Sequence, residues 1–161
     1  MLKPLPKGMF VLAIRNSAKA LVLRDGKILL NRCISRMGVY YALPGGGQHD
    51  GELLTEAVKR EVLEETGLSV EPTKMSAVFE RVTEGRDGQN CTHKMYFVFM
   101  CKYLEKVPIK EPIERDAYQT GTEWIKISDV QNIGLFPKVI RDNLTAMINC
   151  KETLYLGSER R

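Results

Sequence analysis

The chain lacks the features that mark several protein classes. Its four cysteines form neither a Cys-x-x-Cys pair nor a short metal-ligand spacing; they are Cys33, Cys91, Cys101 and Cys150. This pattern argues against a zinc module and against a disulfide framework. No apolar run is long enough to cross a bilayer, and Met9–Ile14 is too short for the core of a signal peptide. These absences predict a soluble cytoplasmic protein with reduced thiols and no membrane partner.

The chain also lacks a strong excess of charge of one sign. The 24 basic and 20 acidic residues leave a formal net charge of +4, and the basic residues are scattered along the chain. This balance suits a polyanionic small molecule but predicts no nucleic-acid partner. A length of 161 residues, 43% of them hydrophobic, predicts one domain over residues 1–161. The sequence leaves the oligomeric state open, a homodimer included.

The first third of the chain is rich in β-prone runs. Predicted strands lie at Phe10–Ile14, Ala18–Leu23, Lys27–Asn31 and Tyr40–Leu43, with a hairpin turn at Asp25-Gly26. Pro44 and the glycine triplet Gly45–Gly47 then predict a loop, because such residues do not continue a strand or helix cheaply.

The second half alternates strands with a helix. A long hairpin is predicted at Lys74–Thr83 and Thr92–Tyr103, a surface loop at Lys106–Gly121, a strand at Thr122–Ile127 and a helix at Pro137–Asn149. The tail from about residue 156 to 161 is expected to fray. Strands interleaved with helices predict an α+β fold in which helices cover a mixed β-sheet.

One predicted helix, Leu53–Thr66 with Gly67 as its stop, is unusual for its acidic residues. On a helical wheel Glu61, Glu64 and Glu65 share the arc of the apolar residues, which are Leu53, Leu54, Ala57 and Val58. Carboxylates turned towards a core need compensation, because an unpaired buried charge is costly. They also repel one another and lie at the negative end of the helix dipole.

A bound Mg²⁺ or Mn²⁺ would resolve this conflict, since hard divalent cations prefer carboxylate oxygens and leave room for phosphate oxygens. The alternative is a solvated acidic helix end with Lys59 and Arg60 as ion-pair partners. The position of the carboxylates on the wheel and the preceding Gly45–Gly47 favour the metal site.

The segment from Gly46 to Leu68 has a specific spacing. Five residues separate Gly46 from Glu52, and seven more precede Arg60-Glu61-Val62-Leu63-Glu64-Glu65-Thr66-Gly67-Leu68. The segment resembles the complete Nudix box, without departure. The resemblance implies an α/β/α sandwich and a metal-dependent hydrolase that cleaves a phosphoanhydride bond in a nucleoside diphosphate linked to a group X. It implies Glu61, Glu64 and Glu65 as metal ligands and Glu52 and Arg60 as residues that orient the helix and its carboxylates. It implies Gly46 and Gly67 as the residues that permit the bends of the cofactor-binding loop–helix–loop.

The general base and the substrate stay open at this stage. Glu64 is the candidate within the box, and Glu114, Asp116 and Glu123 are candidates in the later loop. The segment Val82–Arg86 lacks the proline and the tyrosine that resemble the ADP-ribose and dinucleoside-polyphosphate signatures. Phosphate or base contacts are open to Arg15, Arg32, Arg36 and Arg81 and to Tyr40, Tyr41 and Tyr96, although solvated arginines and core tyrosines are commoner.

Two rival functions use the same or a related fold. A non-hydrolysing nucleotide sensor commonly loses box carboxylates, and this chain keeps all of them. An isoprenoid diphosphate isomerase would need a catalytic cysteine, and neither Cys33 nor Cys91 lies in a supporting motif. The hydrolase is therefore the predicted function, with the sensor as its alternative.

Overall fold

The computed structural model describes residues 14–84, 91–113 and 117–160. The strands there are β1 (Ile14–Arg24), β2 (Lys27–Ser35), β3 (Gly38–Ala42), β4 (Gly45–Gly47), β5 (Val70–Glu84), β6 (Cys91–Tyr103), β7 (Gln119–Lys126), β8 (Leu135–Phe136) and β9 (Leu154–Arg160). The helices are α1 (Leu54–Thr66), α2 (Lys138–Asn149) and a 3-10 helix at Ile127–Asn132. No helix in these ranges is both long and apolar enough to cross a membrane.

The strands form a curled mixed sheet in the order β8-β3-β2-β1-β6-β5-β9, with β4 paired to β1 and β7 paired to β2. Strands β1 and β6 run parallel, whereas β5 and β6 form an antiparallel hairpin. One helix packs on each side, which confirms the predicted α/β/α sandwich.

Strand β1 feeds two cores because successive side chains point to opposite faces of a sheet. Leu21 packs with Ile140 and Met147 of α2 in one core. Ala20 and Val22 belong to the other core, together with side chains of α1 such as Val58. Burying each Val, Leu or Ile stabilises the fold by about 1.5–3 kcal/mol. Both helices are therefore fixed through one central strand.

The main predicted elements are confirmed, with shifted ends. The β1–β2 hairpin turns at Asp25-Gly26, where both residues have positive φ. The two predicted helices begin one residue later than expected, at Leu54 and Lys138. The long hairpin of β5 and β6 extends beyond the predicted ends. The predicted first strand, Phe10–Ile14, lies outside the described residues except at Ile14.

Three expectations differ from the structure. The glycine triplet is not a loop but β4, which pairs with Ser17–Lys19 of β1. Strand β7 begins at Gln119, inside the predicted surface loop 106–121, because Gln119 is buried in a polar network beside α1. The tail does not fray at 156–160: it is β9, which pairs with β5 and packs Leu154 and Leu156 against the core. Pairing with β5, which is distant in the sequence, orders residues 156–160, and the local sequence does not indicate this pairing.

Candidate active site

A cavity of about 570 Å³ opens beside α1, β4 and the adjoining ends of β1 and β6. This volume lies within the range of sites for small molecules. Its wall combines carboxylates, cations and aromatic rings, among them Glu61, Glu64, Glu65, Lys19, Tyr40 and Tyr96. The cavity therefore brings the three predicted metal-ligating glutamates to one place.

The last two turns of α1 position these glutamates. Residues three and four apart share a helix face, so Glu61 lies beside Glu64 and Glu65. The helix ends at Gly67, whose left-handed φ of 73° and N–H bond to the Leu63 carbonyl close the last turn. A Cβ on Gly67 would lie 1.8 Å from the Lys110 carbonyl oxygen. Gly67 thus satisfies both a backbone conformation and a close packing contact.

Arg60 organises the exposed side of the cluster with one guanidinium. Its Nε and Nη2 donate to the two oxygens of Glu52 at 2.8 and 3.0 Å, and Nη2 also donates to the Gly47 carbonyl at 2.8 Å. Its Nη1 donates to Glu61 at 2.8 Å and to Glu64 at 3.0 Å. Arg60 therefore links the start of the segment to the Glu61 and Glu64 carboxylates.

The charges of this network shift its proton affinities. The hydrogen bond from Arg60 is the largest cause that lowers the pKa of Glu52, from 4.5 to about 2. In return, the hydrogen bond to Glu52 raises the pKa of Arg60. Both groups stay ionised across the physiological range, so the network keeps its form there.

Glu65 is held from the buried side by a second network. Its Oε2 accepts hydrogen bonds from Asn31 Nδ2 at 2.8 Å and from the Gly45 backbone N–H at 2.7 Å. Gln119 Nε2 donates to Asn31 Oδ1 at 3.2 Å and to the Glu65 carbonyl at 3.1 Å. Burial is the main cause that raises the pKa of Glu65, with the Lys19 charge and these bonds opposing it.

Asn31 and Gln119 belong to this site but were not among the candidates predicted from the sequence. Their partners lie 34 and 54 positions away along the chain. One local signal exists: Asn31 is a polar residue at the end of the apolar run Ile28–Leu30. A buried polar side chain in such a position needs a hydrogen-bond partner, but the sequence does not say which.

Gly46, predicted only to permit a bend, also leaves space for the carboxylate of Glu61. A Cβ at this position would lie 2.4 Å from Glu61 Oε2 and 2.6 Å from its carboxyl carbon. The absence of a side chain at Gly46 therefore lets the Glu61 carboxylate rest against β4. At neighbouring Gly47 a Cβ would meet nothing within 4 Å.

The fit of this site to a metal ion depends on Arg60. Among residues 14–84, 91–113 and 117–160, no three carboxylate, imidazole or thiolate side chains are arranged as metal ligands. The reason is that one guanidinium nitrogen holds both Glu61 and Glu64, while Glu65 turns to its buried partners. All three carboxylates nevertheless line the same cavity, where they would face a bound cation.

The chemistry of the remaining donors agrees with a hard cation. The Gly45 backbone carbonyl lies at the same cavity wall and accepts a hydrogen bond from the Lys19 ammonium. A backbone carbonyl oxygen beside three carboxylates is the oxygen-rich setting that Mg²⁺ and Mn²⁺ prefer, and the ammonium bound there shows that this wall attracts positive charge. The residues present therefore fit a divalent cation.

The structure separates the general-base candidates. Glu64 lines the cavity. Glu123 does not line it: its carboxylate pairs with Arg32 at 3.4 Å and accepts a hydrogen bond from the Tyr41 hydroxyl at 3.2 Å. Glu114 and Asp116 lie outside the described residues.

Other sequence candidates divide in the same way. Arg15, Tyr40 and Tyr96 line the cavity, whereas Arg32, Arg36 and Tyr41 do not. Arg81 lies behind the wall, with its guanidinium carbon 4.7 Å from the centre of the Phe136 ring. The rings of Phe79 and Tyr96 stack with centroids 4.4 Å apart and form part of the wall.

Comparisons with known proteins agree with this geometry. A NUDIX domain model matches residues 7–144. A nucleoside triphosphatase NudI from Klebsiella pneumoniae (strain 342) is 32% identical over 124 residues, which cover 71% of this chain and 84% of that protein.

Two solved structures share the fold. A NUDIX hydrolase from Nitrosomonas europaea superposes with a TM-score of 0.66 at 21% identity, covering 83% of this chain and 87% of that one. A MutT protein from Bacillus halodurans gives 0.65 at 23% identity, covering 88% and 87%. With its intact box around one cavity, the chain belongs to the Nudix family of hydrolases, which act on phosphoanhydride bonds.

Proposed function

We propose that the protein uses Mg²⁺ or Mn²⁺ to hydrolyse a small-molecule nucleoside diphosphate linked to a second group X, releasing a nucleoside monophosphate and phosphorylated X. The proposal rests on one observation: a nucleotide-sized cavity has one wall lined by Arg60 and the glutamates Glu61, Glu64 and Glu65. A merely solvated helix end would not be tied to a glycine strand and to a buried Asn31.

Each residue of the box has a role in this proposal. Glu61, Glu64 and Glu65 would hold the cation, while Glu52 and Arg60 keep their carboxylates in register. When bound, the cation neutralises the diphosphate and assists the attack of water on phosphorus. Gly46 leaves the space in which Glu61 rests, so that the carboxylate stays close to the backbone of β4.

Glu64 is the proposed proton acceptor for the attacking water. Its side chain is 26% exposed, against 15% for Glu61, so water reaches it more easily. Its Oε2 is held by Arg60 at 3.0 Å, which fixes the direction of the carboxylate. A base must lie within hydrogen-bond reach of the water it deprotonates, and a cavity-lining position allows this.

Two further observations support the class and the setting. The similar Klebsiella protein is named a nucleoside triphosphatase, which supports a nucleotide as the substrate. The proposal keeps the cytoplasm as its setting, because the four cysteines lack the spacing of a disulfide framework. The proposal also keeps the prediction that residues 1–161 form a single domain.

The test is turnover of a panel of nucleoside triphosphates, nucleotide sugars, ADP-ribose and dinucleoside polyphosphates, with Mg²⁺, with Mn²⁺ and with chelator. We expect metal-dependent turnover of one class, and a loss of about 10²-fold or more in kcat for Glu64→Gln with little change in stability. Glu71→Gln is the matched control, because Glu71 is an exposed partner of Lys59 outside the cavity.

Two results would count against the proposal. Unchanged kcat in Glu64→Gln would remove this residue from the mechanism. Nucleotide and metal binding without turnover of any member would instead indicate a sensor.

A further inference from the structure

A row of three cations crosses the sheet at one end of the cavity. In the register of the strands, Arg15 of β1 is paired with Lys94 of β6, and Lys94 is paired with Arg81 of β5. Glu159 of β9 follows as the partner of Arg81. Paired residues on neighbouring strands point to the same face, so these four side chains lie side by side.

That face is the one that borders the cavity. Arg15, Ser17 and Lys19 share this face of β1 and line the cavity, as do Lys94 and Tyr96 on β6. Asn16, between Arg15 and Ser17, also contributes to the lining. Arg15 and Lys94 therefore project towards the space in which a substrate would lie.

Like charges directly opposite each other destabilise a sheet unless they are compensated. Arg81 is compensated: its Nε and Nη2 lie 3.0 and 2.9 Å from Glu159 Oε2, and its side chain is only 11% exposed. Arg15 and Lys94 are exposed, and neither forms an ion pair within the part of the chain that the structure describes. Among the described residues, these two positive charges at the cavity edge are paired with no carboxylate.

These charges lie away from the proposed cation site. Lys19 contacts the Gly45 carbonyl next to the glutamates, and Arg15 lies four residues earlier on the same strand. At about 3.3 Å per residue, roughly 13 Å of strand separates the two positions. These backbone positions favour contact of Arg15 and Lys94 with a different part of the substrate from the one held at the glutamates.

We propose that Arg15 and Lys94 form an anion subsite for a phosphate group that the substrate carries outside the scissile diphosphate. This inference rests on the proposed function and narrows its substrate class. Guanidinium and ammonium groups both bind phosphate. The positive electrostatic potential of the two side chains at the cavity edge would attract a phosphate group. The phosphate has two chemical sources, the end of a polyphosphate chain or a phosphomonoester on the nucleoside.

The test compares kcat/KM for substrates that differ in this phosphate. One arm compares a nucleoside triphosphate with a nucleotide sugar, and the other compares an adenine dinucleotide that has a 2′-phosphate with one that lacks it. In the double variant Arg15→Gln/Lys94→Gln, we expect kcat/KM to fall about tenfold for the phosphate-bearing substrate of at least one arm. This loss corresponds to about 1.4 kcal/mol. The partner without the phosphate should change less than about twofold. The arm that responds identifies the source.

A matched control removes the same charge elsewhere. Lys27 and Lys126 are also facing residues on neighbouring strands, both exposed and outside the cavity. Lys27→Gln/Lys126→Gln should leave both members of each arm unchanged. The subsite would be overturned if neither arm showed a selective loss, that is, if both members of each arm lost activity equally or not at all.

Failure of the proposed function is separable from failure of the subsite. If the wild-type protein hydrolyses nothing in the panel, calorimetric binding of inorganic tripolyphosphate in chelator tests Arg15 and Lys94 directly. Weaker binding in their double variant than in the lysine control supports the subsite, and equal binding overturns it.

Discussion

Substitution of Gly46 by alanine isolates the position of one carboxylate. The added Cβ would lie 2.4 Å from Glu61 Oε2, whereas ordinary contact begins at 3.4 Å. The Glu61 carboxylate must therefore withdraw by about 1 Å, since the flexible side chain yields before the backbone of β4. The three atoms nearest to the added Cβ all belong to Glu61, so this side chain is displaced first.

The expected loss of activity follows from this displacement. A misplacement of about 1 Å at a reacting centre costs on the order of 10²-fold in rate, or about 2.7 kcal/mol of transition-state stabilisation. The stability should change by less than about 1 kcal/mol, because alanine restricts the unfolded chain while a hydrogen bond of Glu61 weakens. The assay is kcat at saturating metal, together with urea unfolding.

Gly47→Ala is the control for the same chemical change one residue later. Its Cβ would meet nothing within 4 Å, and the Gly47 carbonyl would still accept the bond from Arg60. We expect activity within about threefold of the wild type. Equal activities of the two variants would refute the reasoning that Gly46 acts by making room for Glu61.

Two further predictions concern pH in metal-free protein, measured by urea unfolding in chelator. Burial raises the pKa of Glu65 above its unfolded value of 4.5, so wild-type stability falls as pH rises from there through the folded pKa. Glu65→Gln should lack this fall, and a pH-independent difference between the two proteins would contradict it. For Glu52 the sign is opposite: its folded pKa of about 2 stabilises the protein above pH 4.5, and this contribution is lost as pH falls towards 2. Glu52→Gln should not show that loss, and parallel acid-unfolding curves would argue against the Arg60 contact as its cause.

The local sequence was sufficient to predict the structure where the pattern lies within one helix or strand. The helix and its three glutamates follow from a 3.6-residue repeat and a glycine stop, and α1 has both. Sequence was insufficient for β4 and β9. A glycine triplet has no strand propensity, and Leu154–Arg160 is too polar to predict pairing without knowledge of β5.

The sequence by itself determined the family, the helix of carboxylates and the chemistry that they favour, because the spacing from Gly46 to Gly67 is local. Tertiary structure decided which atoms surround those carboxylates. Asn31 reaches Glu65 across 34 positions, and Arg15 comes to lie beside Lys94 only through the pairing of β1 with β6. The register between strands that are distant in the sequence sets these contacts. This register cannot be predicted from the residue pattern of either strand alone, because it depends on backbone hydrogen bonds between the two strands.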